Sequence, residues 1–127
     1  MVRVAVITDV HGDVHALRDA LARADELGVS RVLCAGDIVD YGLFPEKTIA
    51  LLRERRIPCV RGNHDRWGDT FWGPETGVAF APRELRFTSG ERQVLAIHGD
   101  GVHREQRVAT MLNRLLDQPA TIATFRS

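Results

Sequence analysis

The chain has 127 residues, 44% hydrophobic and 27% charged, and its 17 basic and 17 acidic side chains cancel to a formal net charge of zero. This length predicts one domain, residues 1–127, with a modest core. The balanced charge offers no global field for nucleic acid or an anionic membrane surface. No apolar run approaches the roughly 18 residues of a membrane span, so a cytoplasmic protein is the expectation.

The first apolar run, Val2 to Ile7, reads as a strand rather than a secretion signal. A polar loop, Asp9 to Asp13, follows it. Val14, Leu17, Leu21, Ala24 and Leu27 then recur at helical spacing, and Gly28 ends that helix. Arg31 to Ala35 is the second strand. Pro45 stands in the first turn of a second helix, whose apolar face includes Ile49 and Leu52. Pro58 to Val60 is a short third strand. Cys34 and Cys59 each fall inside a predicted strand and read as small core hydrophobes. The β-α-β-α-β rhythm predicts an α/β fold with a doubly wound start.

Beyond Asp65 the pattern changes. Residues 66–82 hold four aromatic residues among glycines and two prolines, without a period, and read as a loop or short helical turn covering the sheet edge. Glu84–Thr88 and Arg92–Ile97 flank Ser89-Gly90-Glu91, a hairpin signal. A last helix is predicted over 105–116, and a last strand over 120–125.

Three polar signatures each follow a predicted strand: Asp9-Val10-His11, Gly36-Asp37 and Gly62-Asn63-His64-Asp65. Strand carboxyl ends are where open α/β sheets bind ligands. Carboxylates, imidazoles and an amide oxygen without a thiolate suit divalent metals of the Mn, Fe or Zn type. Each signature alone is weak, since such triplets arise by chance in ordinary loops. Their order, each after a strand, is the informative feature.

With these motifs the chain resembles the calcineurin-like metallophosphoesterases, whose order is Asp-x-His, Gly-Asp, Gly-Asn-His-Asp/Glu, a lone His, and Gly-His-x-His. His98 matches the lone histidine, and no Gly-His-x-His occurs in this sequence. The resemblance implies a layered metallophosphoesterase-type β-α-β-α-β fold, here expected to be shortened at its C-terminus and to pair as a homodimer over an exposed sheet edge. It implies two divalent ions of the Mn, Fe, Zn or Ni class. Asp9 and His11 would hold the first, Asp37 would bridge both, and Asn63 and His98 would hold the second. A bridging hydroxide would attack phosphorus in line. His64 would be the catalytic histidine, with Asp65 orienting its ring.

The implied substrate is a small phosphodiester, phosphomonoester or nucleotide. Serine/threonine protein phosphatases carry an arginine where Tyr41 stands, and its loss argues against a phosphoprotein substrate. Compact bacterial-type phosphodiesterases are the nearer likeness. The missing fifth motif keeps an alternative open, a degenerate member that acts as a binding or assembly module. His103 is a candidate replacement ligand, although a surface loop histidine is the plainer reading. The same plainer reading applies to Asp100 and to His15, which is expected to face solvent on the first helix.

Overall fold

The strands are the runs that the sequence pattern predicts, each trimmed by one or two residues: β1 (Val4–Ile7), β2 (Arg31–Cys34) and β3 (Cys59–Val60). The computed structural model describes residues 2–66 and 76–100. Helix α1 (Val14–Glu26) begins where the Asp13 carboxylate accepts the N–H groups of His15 and Ala16, at 3.1 and 2.9 Å. This satisfies two of the donors that a helix start leaves open. The helix ends at Leu27, with Gly28 at φ +63 just beyond. Helix α2 (Pro45–Glu54) starts on its proline, and Thr48, Ile49 and Leu52 are buried along one face.

β1, β2 and β3 pair in parallel in that order, and a fourth strand, β4 (Phe80–Ala81), adds in parallel beside β3. β4 lies in the stretch read from sequence as a loop. Two residues between Gly77 and Pro82 are too short to show a period, and the open edge of β3 supplies their order. β5 (Glu84–Ser89) and β6 (Arg92–Ile97) form the expected hairpin, with Gly90 at φ +62 in the turn. The last helix and last strand predicted from sequence, and most of the aromatic-rich stretch, lie outside the described residues.

Side-chain alternation along the strands separates two cores. Cys34 and Cys59, both buried free thiols, join Leu17, Leu21, Ile49 and Leu52 on the helix side. Leu33 and Val60, the neighbours of those cysteines, join Ala96, Leu85 and Phe87 on the hairpin side. The sheet is therefore layered between helices and hairpin, as expected. It is not doubly wound. Strands that step in one direction without reversal, joined by crossovers of one hand, place both helices on the same face. Among the described residues, no helix is long and apolar enough to cross a membrane.

The loops at the strand carboxyl ends are tied together by one buried carboxylate. Asp65 is fully buried, and its Oδ1 accepts the N–H groups of Ile38 (2.8 Å) and Val39 (3.1 Å). Its Oδ2 accepts those of Asp37 (3.0 Å) and Gly62 (2.8 Å). The loop after β3 is thereby fastened to the loop after β2. The loop after β1 hangs on the same segment, through Asp9, His11 and Gly12 N–H groups donating to the carbonyls of Gly36, Asp37 and Ile38. The approach is so close that a Cβ on Gly62 would collide with Asp37 Oδ1. Burial pushes the Asp65 carboxyl upward, the N–H donors of Gly62, Val39 and Ile38 pull it down, and the Asp37 charge adds to the net upward shift. Four donors nonetheless require an acceptor-only group, so these bonds hold the ionised form.

Asp65→Asn keeps the volume but turns an NH₂ group toward two backbone donors. The substitution is expected to lower the unfolding free energy by about 3 kcal/mol in urea melts. A loss of less than about 0.5 kcal/mol, the level of an ordinary surface change, would show that Asp65 is not the fastening.

Candidate metal centre

The polar signatures meet at one edge because every strand that precedes them ends there. Asp9 and His11 follow β1, Asp37 follows β2, residues 62–65 follow β3, and His98 directly follows β6. The backbone that presents them is strained. Among the described residues six that are not glycine have positive φ, and five of them are here: Asp9 (57°), His11 (48°), Asp37 (54°), Asp40 (76°) and Tyr41 (65°). Each such position costs on the order of 1 kcal/mol or more and persists only when its surroundings enforce it. The interloop hydrogen bonds do so.

Asp37 is the centre of the cluster and only 3% exposed. Its Oδ1 accepts the backbone N–H of His64 at 3.0 Å, and its Oδ2 lies 3.2 Å from His98 Nε2 and 3.9 Å from His11 Nε2. His11 Nε2 is also 3.7 Å from Asp9 Oδ1. One ligating atom each from Asp9, His11 and Asp37 can be chosen with all three within 4.8 Å of one another. On the other side of Asp37, Asn63 Oδ1 lies 2.9 Å from His98 Nε2. All five residues expected to hold metal are thus brought around one carboxylate.

The donors fit cations. The His11 contacts at 3.7 and 3.9 Å are too long for hydrogen bonds, and the buried His11 Nδ1 has no hydrogen-bond partner among the described residues. Two donors each about 2.0–2.2 Å from one ion stand roughly 3–4 Å apart, which is the spacing seen. His98 Nδ1 lies 2.9 Å from the carbonyl of Ala35. In the neutral ring, donation there leaves Nε2 as the nitrogen with the lone pair, the usual outer support of a ligating histidine.

The charges are coupled. Burial pushes the Asp37 carboxyl up, but hydrogen bonds and charge from His98 and His64 outweigh it, leaving a net downward shift. The hydrogen bond to Asp37 raises His98 to about 9 against the opposing effect of burial, with help from the Ala35 carbonyl.

His64 joins the cluster through its ring, whose centroid is 5.2 Å from that of His11. Its orienting partner is not Asp65. His64 Nδ1 lies 2.9 Å from Asp40 Oδ2, whereas the Asp65 oxygens are spent on backbone N–H groups beneath the site. The hydrogen bond to His64 also holds Asp40 below its ordinary carboxylate value. Adjacency in sequence suggested Asp65, but the short turn at His64–Arg66 sends the two side chains opposite ways. The available signal was Asp40 itself, a second carboxylate three residues after Asp37 in the same loop. Tyr41 also reaches the site, its ring centroid 4.9 Å from His64 and 5.2 Å from His11. His15 is exposed on α1, as expected, and His103 lies outside the described residues.

A groove of about 550 Å³ lies at the opposite end of the sheet, lined by Arg31, Pro58 and Phe87 among others. It shares none of these residues. The chemistry is concentrated at the carboxyl edge.

Comparison with known proteins bears on the fold and the family. The sequence is 39% identical over 62 residues to the uncharacterized protein MJ0912 of Methanocaldococcus jannaschii, a stretch that is 49% of this chain and 26% of that protein. The structure is similar to that of Yfce, a phosphoesterase from E. coli, with a TM-score of 0.63 at 20% identity, over 76% of this chain and 57% of the other. The chain thus spans less than two thirds of either relative. The family pattern of the calcineurin-like phosphoesterases matches residues 2–122, nearly the whole sequence, and the chain belongs to that family.

Proposed function

We propose that this chain hydrolyses phosphodiester or phosphomonoester bonds with two divalent cations, one among Asp9, His11 and Asp37 and the other among Asp37, Asn63 and His98. The observation that carries this reading is the shared carboxylate, since Asp37 Oδ2 faces both His11 and His98. Bound there, the cations supply an acidified water and a positive field for the phosphoryl oxygens.

The side chains of the protein do the rest. Asp40 accepts from His64 Nδ1 and orients the ring, leaving the other ring nitrogen to deliver a proton to the leaving oxygen. Asp65 fixes the loop on which Asp37 and Asp40 ride. Tyr41, in place of a phosphate-gripping arginine, favours small esters or nucleotides over phosphoproteins. A second reading is a binding module without catalysis, in which His98 Nε2, 3.2 Å from Asp37 Oδ2 and 2.9 Å from Asn63 Oδ1, ties these side chains to one another.

Elemental analysis separates the two. After loading with Mn²⁺ and desalting, two equivalents per chain are expected, and one or none would favour the binding module. Asp37→Asn should abolish metal-dependent hydrolysis, and full activity would remove Asp37 as the bridge. His64→Ala should lower turnover by about 10²–10⁴-fold with metal content retained. Loss of both metals in that variant would make His64 a ligand instead.

The His98 shift sets a pH dependence of known sign. Its raised value means that the His98–Asp37 pair contributes stability to the metal-free protein below the ordinary imidazole value of 6.5, lost as pH rises through about 9. Cation binding needs the neutral ring and runs the other way. Mn²⁺ affinity should climb up to about tenfold per pH unit toward pH 9, and His98→Gln should flatten that slope in calorimetric titrations. An unchanged slope would mean that His98 is not displaced from its proton by the metal.

A further inference from the structure

Tyr41 touches the reaction centre yet holds nothing together. Its ring lies against His64 and His11, its hydroxyl makes no hydrogen bond among the described residues, and 74% of the residue is open to solvent. Its backbone sits at φ 65, directly after Asp40 at φ 76, a left-handed conformation that disfavours any residue with a β-carbon.

That conformation is locked from both sides. The Tyr41 N–H donates to Asp40 Oδ1 at 2.9 Å, and the Gly42 N–H to the Asp40 carbonyl at 2.9 Å. The Phe44 N–H donates to the Gly12 carbonyl at 3.1 Å. A Cβ on Gly42 would collide with the His11 carbonyl oxygen, so the two loops lie in direct backbone contact. The direction in which the side chain leaves the backbone is therefore set before any ligand arrives. A tyrosine held in left-handed backbone is an arrangement that folding alone does not favour.

Its position fixes what it meets. The phosphoryl group belongs over the carboxylates and imidazoles around Asp37. With Nδ1 of His64 tied to Asp40, the other nitrogen addresses the leaving oxygen. The ring packed against His64 is that of Tyr41, with 4.9 Å between the two centroids. We propose that Tyr41 is a stacking platform for a planar leaving group, which makes esters of phenol-like or nucleoside alcohols the favoured substrates over esters of simple alkyl alcohols. This inference rests on the hydrolytic reading above, because that reading places the leaving group beside His64. Stacking on a π face is tolerant of which planar group is present and is absent for an alkyl chain.

The test compares the affinities of the Mn²⁺-loaded protein for phenyl and diphenyl phosphate with those for methyl and dimethyl phosphate, and follows hydrolysis of all four separately, because phenoxide leaves far faster than methoxide with or without a platform. The wild type should prefer the phenyl compounds by about tenfold. Tyr41→Phe should keep that ratio, and Tyr41→Ala should bring it to about one. Tyr41→Gly should also lose the preference while melting no lower than the wild type, because glycine suits this φ. A purely structural tyrosine would not give that combination. A wild-type ratio near one, or a tenfold ratio retained in Tyr41→Ala, overturns the platform and leaves the hydrolytic reading standing. If the loaded wild type neither binds nor hydrolyses any of the four probes, the hydrolytic reading fails and the platform fails with it.

Discussion

Four backbone N–H groups from two loops point at the carboxylate of Asp65 in a place that water does not reach. Unpaired, each buried donor would cost about 1–3 kcal/mol, so the two loops have no good alternative to meeting around this side chain. The third loop is then built on the second by three further backbone bonds. A neutral side chain of the same size cannot accept from all four. The edge of the sheet is thus organised by a charge that never reaches the site surface, and the positions of Asp37 and Asp40 follow from it.

That fastening holds a conformation the chain would otherwise leave. Asp9, His11, Asp37, Asp40 and Tyr41 all occupy left-handed backbone, and Asp9 and Asp37 present like charges on facing loops. His98 partly offsets the negative charge by sharing Oδ2 of Asp37 from 3.2 Å, and that hydrogen bond raises its proton affinity. Strain and like-charge crowding are liabilities for folding. They become assets when divalent ions sit among the donors, because the ligands need little rearrangement to receive them.

Much of this was legible in the sequence. Strands of β-branched residues, a capped amphipathic helix and a helix opened by proline left local signals, and the order of the polar signatures gave the edge at which they meet. What was not legible depends on direction. That His64 turns to Asp40 and not to its neighbour Asp65 is settled by a three-residue turn, which no periodicity encodes. β4 has only two residues and is ordered by its partner. The placement of both helices on one face depends on strand order, and the β-α-β-α-β rhythm is the same for one-sided and two-sided winding.

The hairpin shows how core packing and site composition are one constraint. β6 alternates sides, so Ala96 packs with Leu33 and Val60 beneath the sheet, while His98, two residues on, reaches the Ala35 carbonyl at the carboxyl edge. The register from Glu84↔Ile97 to Ser89↔Arg92 is set by the tight turn at Gly90. A slip of one residue would turn Ala96 away from its core and carry His98 off the edge in the same movement. The fourth signature is the most remote from the others in sequence. Its histidine arrives because apolar burial fixes the strand that carries it, so the hydrophobic pattern of the hairpin specifies the chemistry as firmly as the polar residues do.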